Sequence, residues 1–95
     1  MNEENKKYIK LFKALANEER IDIINLLKKN KEMCAQEVEK HFFLEQSTTS
    51  HHLNTLRRAG VAQCRKEGRK VIYSIDYPKF KELWAGFAKL FLDQK

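Results

Sequence analysis

The chain changes its hydrophobic period at Gly60. Before it, apolar residues recur every three or four positions, as on helices. After it, Val61 to Lys66 and Lys70 to Ile75 show the two-residue period of strands, with Glu67, Gly68 and Arg69 between them as a turn. Beyond Asp76 the helical period returns. With one Pro and only three Gly, long loops have little room, so helices should supply the rest of the chain. The expected order is four helices, two strands and a last helix, a mainly α fold carrying one small β-hairpin.

Residues 3–15 set Tyr8, Ile9, Leu11, Phe12 and Leu15 against lysines 6, 7, 10 and 13, an amphipathic helix with a broad apolar side. Asn17 can cap the next helix, with Glu18 and Glu19 in its first turn. Ile21, Ile23, Ile24, Leu26 and Leu27 crowd that helix to about Lys29, so it is expected to be the central, most buried one. Asn30, Lys31 and Glu32 form a polar break. Cys34 opens a short helix ending near His41 or Phe42; Ser or Thr there would make a capping box with Glu37.

Phe42 to Glu45 then turn the chain into residues 46–60, where Thr49, Leu53 and Leu56 mark one helical face. Ser47, Thr48, Ser50, His51 and Asn54 fall mostly elsewhere. Short hydrogen-bonding groups on an outer face let a helix backbone come close to base edges and phosphates. Gly60 is a helix stop, and Arg57 and Arg58 suit the negative end of the dipole. Two short helices with a tight turn make a helix-turn-helix, and the hairpin behind them makes it winged. From Arg57 to Lys70 there are six basic residues and one acidic residue, enough local charge to neutralise phosphates. Of the histidines, His51 shares the outer face, His52 adjoins Leu53 and reads as packed or half-exposed, and His41 reads as structural.

Asp76 can cap the last helix and Pro78 fits its first turn. Phe80, Leu83, Trp84, Phe87, Leu90 and Phe91 then form an aromatic stripe. Part of it, paired with the helix of Tyr8 and Phe12, is expected to be a homodimer interface. A dimer would place two reading helices about one turn of DNA apart, matching an inverted repeat.

Ninety-five residues make one domain, 1–95. A net charge of +6 and a pI near 9.4 favour an anionic partner, nucleic acid or a membrane surface. No apolar run approaches the length of a membrane span, and the N-terminus lacks a signal-peptide core, so the expected location is the cytoplasm. Two cysteines are too few for a disulfide scaffold. The pair His51 and His52 has no accompanying nucleophile, carboxylate pair or glycine loop, so no enzyme is expected.

The chain resembles the ArsR-type family of bacterial winged-helix repressors. Leu11 through Leu27 resembles the family's opening, Gln46 through Gly60 its recognition helix and Arg65 through Ser74 its wing. The resemblance implies a homodimer through the first and last helices. It also implies binding of double-stranded operator DNA through Gln46, Ser47, Thr48, Ser50 and His51, with wing contacts near Arg65, Arg69 and Lys70. Repression would end when an inducer binds. Three departures bear on this. Phe43 stands where the family often has Gly in the turn, so the turn should be differently shaped or mildly strained. Cys34 matches the first thiolate of the family's Cys-x-Cys metal site, but Gln36 replaces the second. The last helix has no His for the other type of metal site. The expectation is therefore a regulator with no bound cofactor, metal-independent or thiol-responsive through Cys34, its inducer unknown. The alternatives are a metal-responsive repressor with a non-standard site, or a winged-helix protein-interaction module.

Overall fold

The computed structural model describes residues 3–93, so the ends of the expected domain at 1 and 95 lie outside the described residues. Helices α1 (Glu3–Leu15) and α2 (Glu18–Asn30) are followed by a short strand β1 (Glu32–Cys34). Helices α3 (Ala35–Phe42) and α4 (Gln46–Arg58), strands β2 (Ala62–Glu67) and β3 (Lys70–Ile75), and helix α5 (Tyr77–Leu92) complete the order. No described helix is long and apolar enough to cross a membrane.

The helix starts follow from local chemistry. Asn17 Oδ1 accepts from Arg20 N–H at 3.0 Å, which satisfies a free donor of the first turn of α2. Asp76 does the same for α5, accepting from Lys79 N–H at 3.1 Å. At α3, Glu37 reaches back to accept from Cys34 N–H at 2.9 Å. The capping box that Ser or Thr would make here is therefore formed with a cysteine at the cap. That bond holds the Glu37 carboxyl below its ordinary value.

The expected two-stranded hairpin is a three-stranded antiparallel sheet in the order β1-β3-β2. β1 pairs Glu32 with Ser74, Met33 with Tyr73 and Cys34 with Ile72. Three residues are too few for alternation to show in a sequence, and this strand exists by pairing with β3. The hairpin register runs from Ala62 opposite Ile75 to Glu67 opposite Lys70, leaving Gly68 and Arg69 as the loop. Gly68 has φ +62, as the first loop residue of a type II′ turn requires.

The core takes residues from every helix and from the wing's base. Leu11, Ile23, Leu27, Val38, Leu53, Leu56 and Val61 are fully buried, with Tyr73, Ile75 and Leu83 around them. α2 is less central than expected. It buries Ile23, Leu26 and Leu27, but Ile21 is exposed and Ile24 only half-buried, because both face α5 across an open groove. α4 is at least as deeply seated, burying Thr49, His52, Leu53 and Leu56.

The aromatic stripe also differs from expectation. Tyr8 and Leu83 are buried within their own subunit, so neither is available as dimer surface. Phe12 stands edge-on to Phe87 with ring centres 4.7 Å apart and to Trp84 at 6.3 Å, and Tyr8 meets Phe87 at 5.6 Å. α1 and α5 thus pair inside one chain. Trp84, Leu90 and Phe91 stay exposed, while Phe12, Phe80 and Phe87 are half-buried.

Candidate nucleic-acid interface

α3 and α4 are joined by Phe43, Leu44 and Glu45. Phe43 is left-handed (φ 56°, ψ 38°), and its side chain is 94% exposed. The N–H groups of Phe43 and Leu44 both donate to Glu39 O, closing the end of α3. The turn therefore has the shape a glycine would serve, with a phenyl ring at a conformation that costs a non-glycine residue about 1–2 kcal/mol.

α4 ends on the backbone pattern read at Gly60. Gly60 N–H donates to Arg57 O at 3.2 Å and Val61 N–H to Leu56 O at 3.0 Å, with Gly60 at φ +89. This 5→2 and 6→1 pair releases the chain into β2 and sets the wing beside α4.

The two faces of α4 are chemically distinct. Gln46, Ser47, Ser50, His51, Arg57 and Arg58 are exposed, and Thr48 and Asn54 are half-buried. At a spacing of three and four residues they form one outward stripe. The inward face carries Thr49, whose Oγ1 is buried without a hydrogen-bond partner, and His52. His52 is fully packed rather than half-exposed. Its Nδ1 lies 3.2 Å from Arg20 Nη1 and its Nε2 lies 3.0 Å from Glu19 Oε1. Since a guanidinium only donates, Nδ1 must accept and Nε2–H must donate to Glu19. Arg20 also donates to Ala14 O at 2.7 Å and Lys13 O at 3.2 Å. One arginine thereby ties the end of α1 and the start of α2 to the back of α4. Nothing local in the sequence marks Glu19 and Arg20 for this role; the one faint signal is that His52 lies on the same helical face as Thr49 and Leu56.

The wing separates its cations. Arg69 and Lys70 are exposed at the tip. Arg65, expected beside them as a DNA contact, is bound within the protein. It makes two bonds to Glu32, at 2.9 and 3.0 Å, and a third to Glu67. These bonds raise the arginine's pKa further and lower that of Glu32. An unexpected basic surface lies at the C-terminal end of α4. Lys6, Lys7 and Lys10 of α1, Arg57 and Arg58 of α4 and Lys79 of α5 line a cleft of about 650 Å³, with Glu3 and Asp76 as its acids among the described residues.

The two cysteines lie on different strands. Cys34 is 3% exposed and Cys64 is exposed on β2; both are free. They lie on opposite sides of β3, about 10 Å apart by strand spacing, beyond the reach of a disulfide. Burial also takes Cys34 out of the partly exposed setting that reactive thiols need, against its expected sensing role. Among the described residues no group of three or more His, Cys, Asp or Glu is placed to hold a metal ion.

Residues 17–63, the segment from the cap of α2 to the start of the wing, match the bacterial regulatory protein arsR family. The cadmium resistance transcriptional regulatory protein CadC homolog of Staphylococcus aureus is 38% identical over 86 residues, spanning 90% of this chain and 69% of that protein. The chain belongs to the arsR family. This ArsR-family protein is also 36% identical over 83 residues to the transcriptional activator HlyU of Vibrio cholerae, spanning 87% of the chain and 76% of HlyU. A solved HlyU structure superposes with a TM-score of 0.71, covering 96% of this chain and 98% of that one at 33% identity. The transcriptional repressor SdpR of Bacillus subtilis is 35% identical over 66 residues, 70% of the chain and 72% of SdpR. The ArsR-family chain is thus a winged helix-turn-helix DNA-binding transcriptional regulator.

Proposed function

We propose that this regulator binds an inverted-repeat operator as a homodimer and represses transcription, with α4 in the major groove and the wing tip on the flanking backbone. The carrying observation is the outward stripe of α4. Gln46, Ser47, Ser50 and His51 are exposed, with Thr48 and Asn54 half-buried beside them, on a helix whose opposite face is locked into the core. In this reading the base-facing residues are Gln46, Ser47, Thr48, Ser50, His51 and Asn54. Arg69 and Lys70 contact phosphates, while Arg65 braces the wing. Dimerisation falls to the apolar surface left open toward the C-terminal end of α5, Leu90 and Phe91, with the half-buried edges of Phe12 and Phe87, while Phe80 and Trp84 line the groove toward α2. The burial of Cys34 favours a release signal other than a thiol oxidant or a thiolate-bound metal.

Fluorescence anisotropy with a promoter fragment bearing an inverted repeat, against scrambled DNA of equal length, tests the reading. Specific binding should exceed nonspecific binding by at least about a thousandfold at physiological salt. Equal affinity for both fragments would remove the operator reading, and no binding to either would favour a protein-interaction module. Sedimentation of the free protein and of the complex reads the dimer. Repeating the titration with zinc and with chelator reads the metal-responsive alternative.

A further inference from the structure

We infer that the groove between α2 and α5 is a binding site for a small apolar carboxylate, an aromatic ring bearing one anionic group. The groove encloses about 430 Å³, within the range of small-molecule sites. Ile21 and Ile24 of α2 form one wall, and Tyr77, Phe80 and Trp84 of α5 form the other. Its floor includes Val61 and Ile75, joined where Asp76 N–H donates to Val61 O at 2.9 Å. Ile21, Tyr77 and Trp84 keep 40%, 50% and 52% of their surface exposed, so the groove is apolar area that the folded chain leaves unfilled. Among the described residues Lys28 is the only charged side chain in its lining, one turn along α2 from Ile24. Among the described residues it enters no ion pair.

That combination selects the occupant. A flat apolar body can lie between the isoleucines and the α5 aromatics, and a single cation at the edge calls for a single anion. Among the described residues no His, Cys, Asp or Glu lines the groove to ligate a metal ion. A second copy of the chain seated on Leu90 and Phe91 would lie about 10 Å further along α5, so the groove opens beside that surface. Because Val61 follows directly on the Gly60 stop of α4, an occupant would press on the junction of reading helix and wing.

Trp84 is the only tryptophan in the chain, so its emission reports directly on the groove. The protein is titrated without DNA, using 4-chlorobenzoate and the neutral 4-chlorobenzamide, in the parent and in Lys28→Gln. The expected result is a saturable change in Trp84 emission, with the acid binding about threefold more tightly than the amide, as one exposed charge pair supplies. Lys28→Gln should bring the acid to the amide's affinity. No saturable change with either compound overturns the proposal, as does equal affinity of both for the parent. An emission that follows protein concentration and ignores both compounds would place a second copy in the groove and overturn it too. The biological meaning of the site rests on the chain being a regulator. Operator binding is measured separately, so either result can fail while the other stands.

Discussion

The Arg65 guanidinium grips the Glu32 carboxylate in a two-bond clamp across β3, Nη1 to Oε2 at 2.9 Å and Nη2 to Oε1 at 3.0 Å. An arginine held in this way is a poor phosphate ligand. Arg65→Ala should therefore leave the salt dependence of DNA binding close to that of the parent. Arg69→Ala should lower the slope of log K against log salt by about one unit. Glu32→Ala should steepen it by less than about one unit, since Glu67 still holds part of the guanidinium. Anisotropy titrations at several salt concentrations decide this, and an equal loss from Arg65→Ala and Arg69→Ala would return Arg65 to the DNA surface.

His52 is the back anchor of the reading helix. Removing it leaves a cavity and takes a partner from Arg20 and from Glu19. His52→Ala should cost on the order of 2 kcal/mol of stability. It should also narrow the gap between operator and scrambled DNA, because α4 loses its tie to α2. His51→Ala, one residue away on the exposed face, should narrow the same gap at unchanged stability. Urea unfolding separates the two, and a matched destabilisation by both variants would contradict the assignment of faces.

Phe43 holds a left-handed conformation with nothing gained by burial. Phe43→Gly should stabilise the protein by about 0.5–1 kcal/mol, the relief of strain being partly offset by the freer unfolded chain. The unfolding midpoint in urea should rise at constant m-value. A lower midpoint would mean that the phenyl ring makes a contact the monomer does not reveal.

Thr49 carries a buried hydroxyl without a partner. Thr49→Val keeps the shape and the β-branch and removes the polar atom, so a gain of about 1 kcal/mol is expected. Calorimetry of the two proteins reads the shift in Tm directly, and any loss of stability would indicate that the hydroxyl is bonded in solution.

Glu37 gives the fold an acid-sensitive cap. Its folded pKa is lowered below the ordinary 4.5, chiefly by the Cys34 N–H bond. A lowered carboxylate stabilises the fold above the unfolded pKa and loses that contribution as pH falls through the folded one. Glu37→Gln should be less stable than the parent at neutral pH, and the difference should close as the medium is taken below pH 4.5. A gap that stays constant across that range would exclude the ionised cap.

Much of this fold was legible because its signals are local. Asn17 and Asp76 announced their helices, and the two faces of α4 could be told apart from the spacing of Thr49, Leu53 and Leu56. Gly60 and Gly68 marked a helix end and a hairpin turn that only a left-handed residue closes cheaply. β1 was not legible, because a three-residue strand has no period to read and its partner lies on β3. The aromatic stripe was legible as apolar surface but not in its division, since periodicity cannot say whether Tyr8 meets Phe87 of its own chain or of another.

The opposite fates of the two wing arginines and the two adjacent histidines show where the boundary falls. By itself the sequence determined the elements, their inner and outer faces and the basic wing behind an unusually hydroxyl-rich helix, since caps, turns and periods depend on neighbours within a few positions. Only the tertiary structure decided that Arg65 is bound to Glu32 while Arg69 stays exposed, and that His52 is bound to Glu19 while His51 faces outward. Both of those bonds join residues 33 positions apart. Bonds of that span exist only once the sheet and helices have packed.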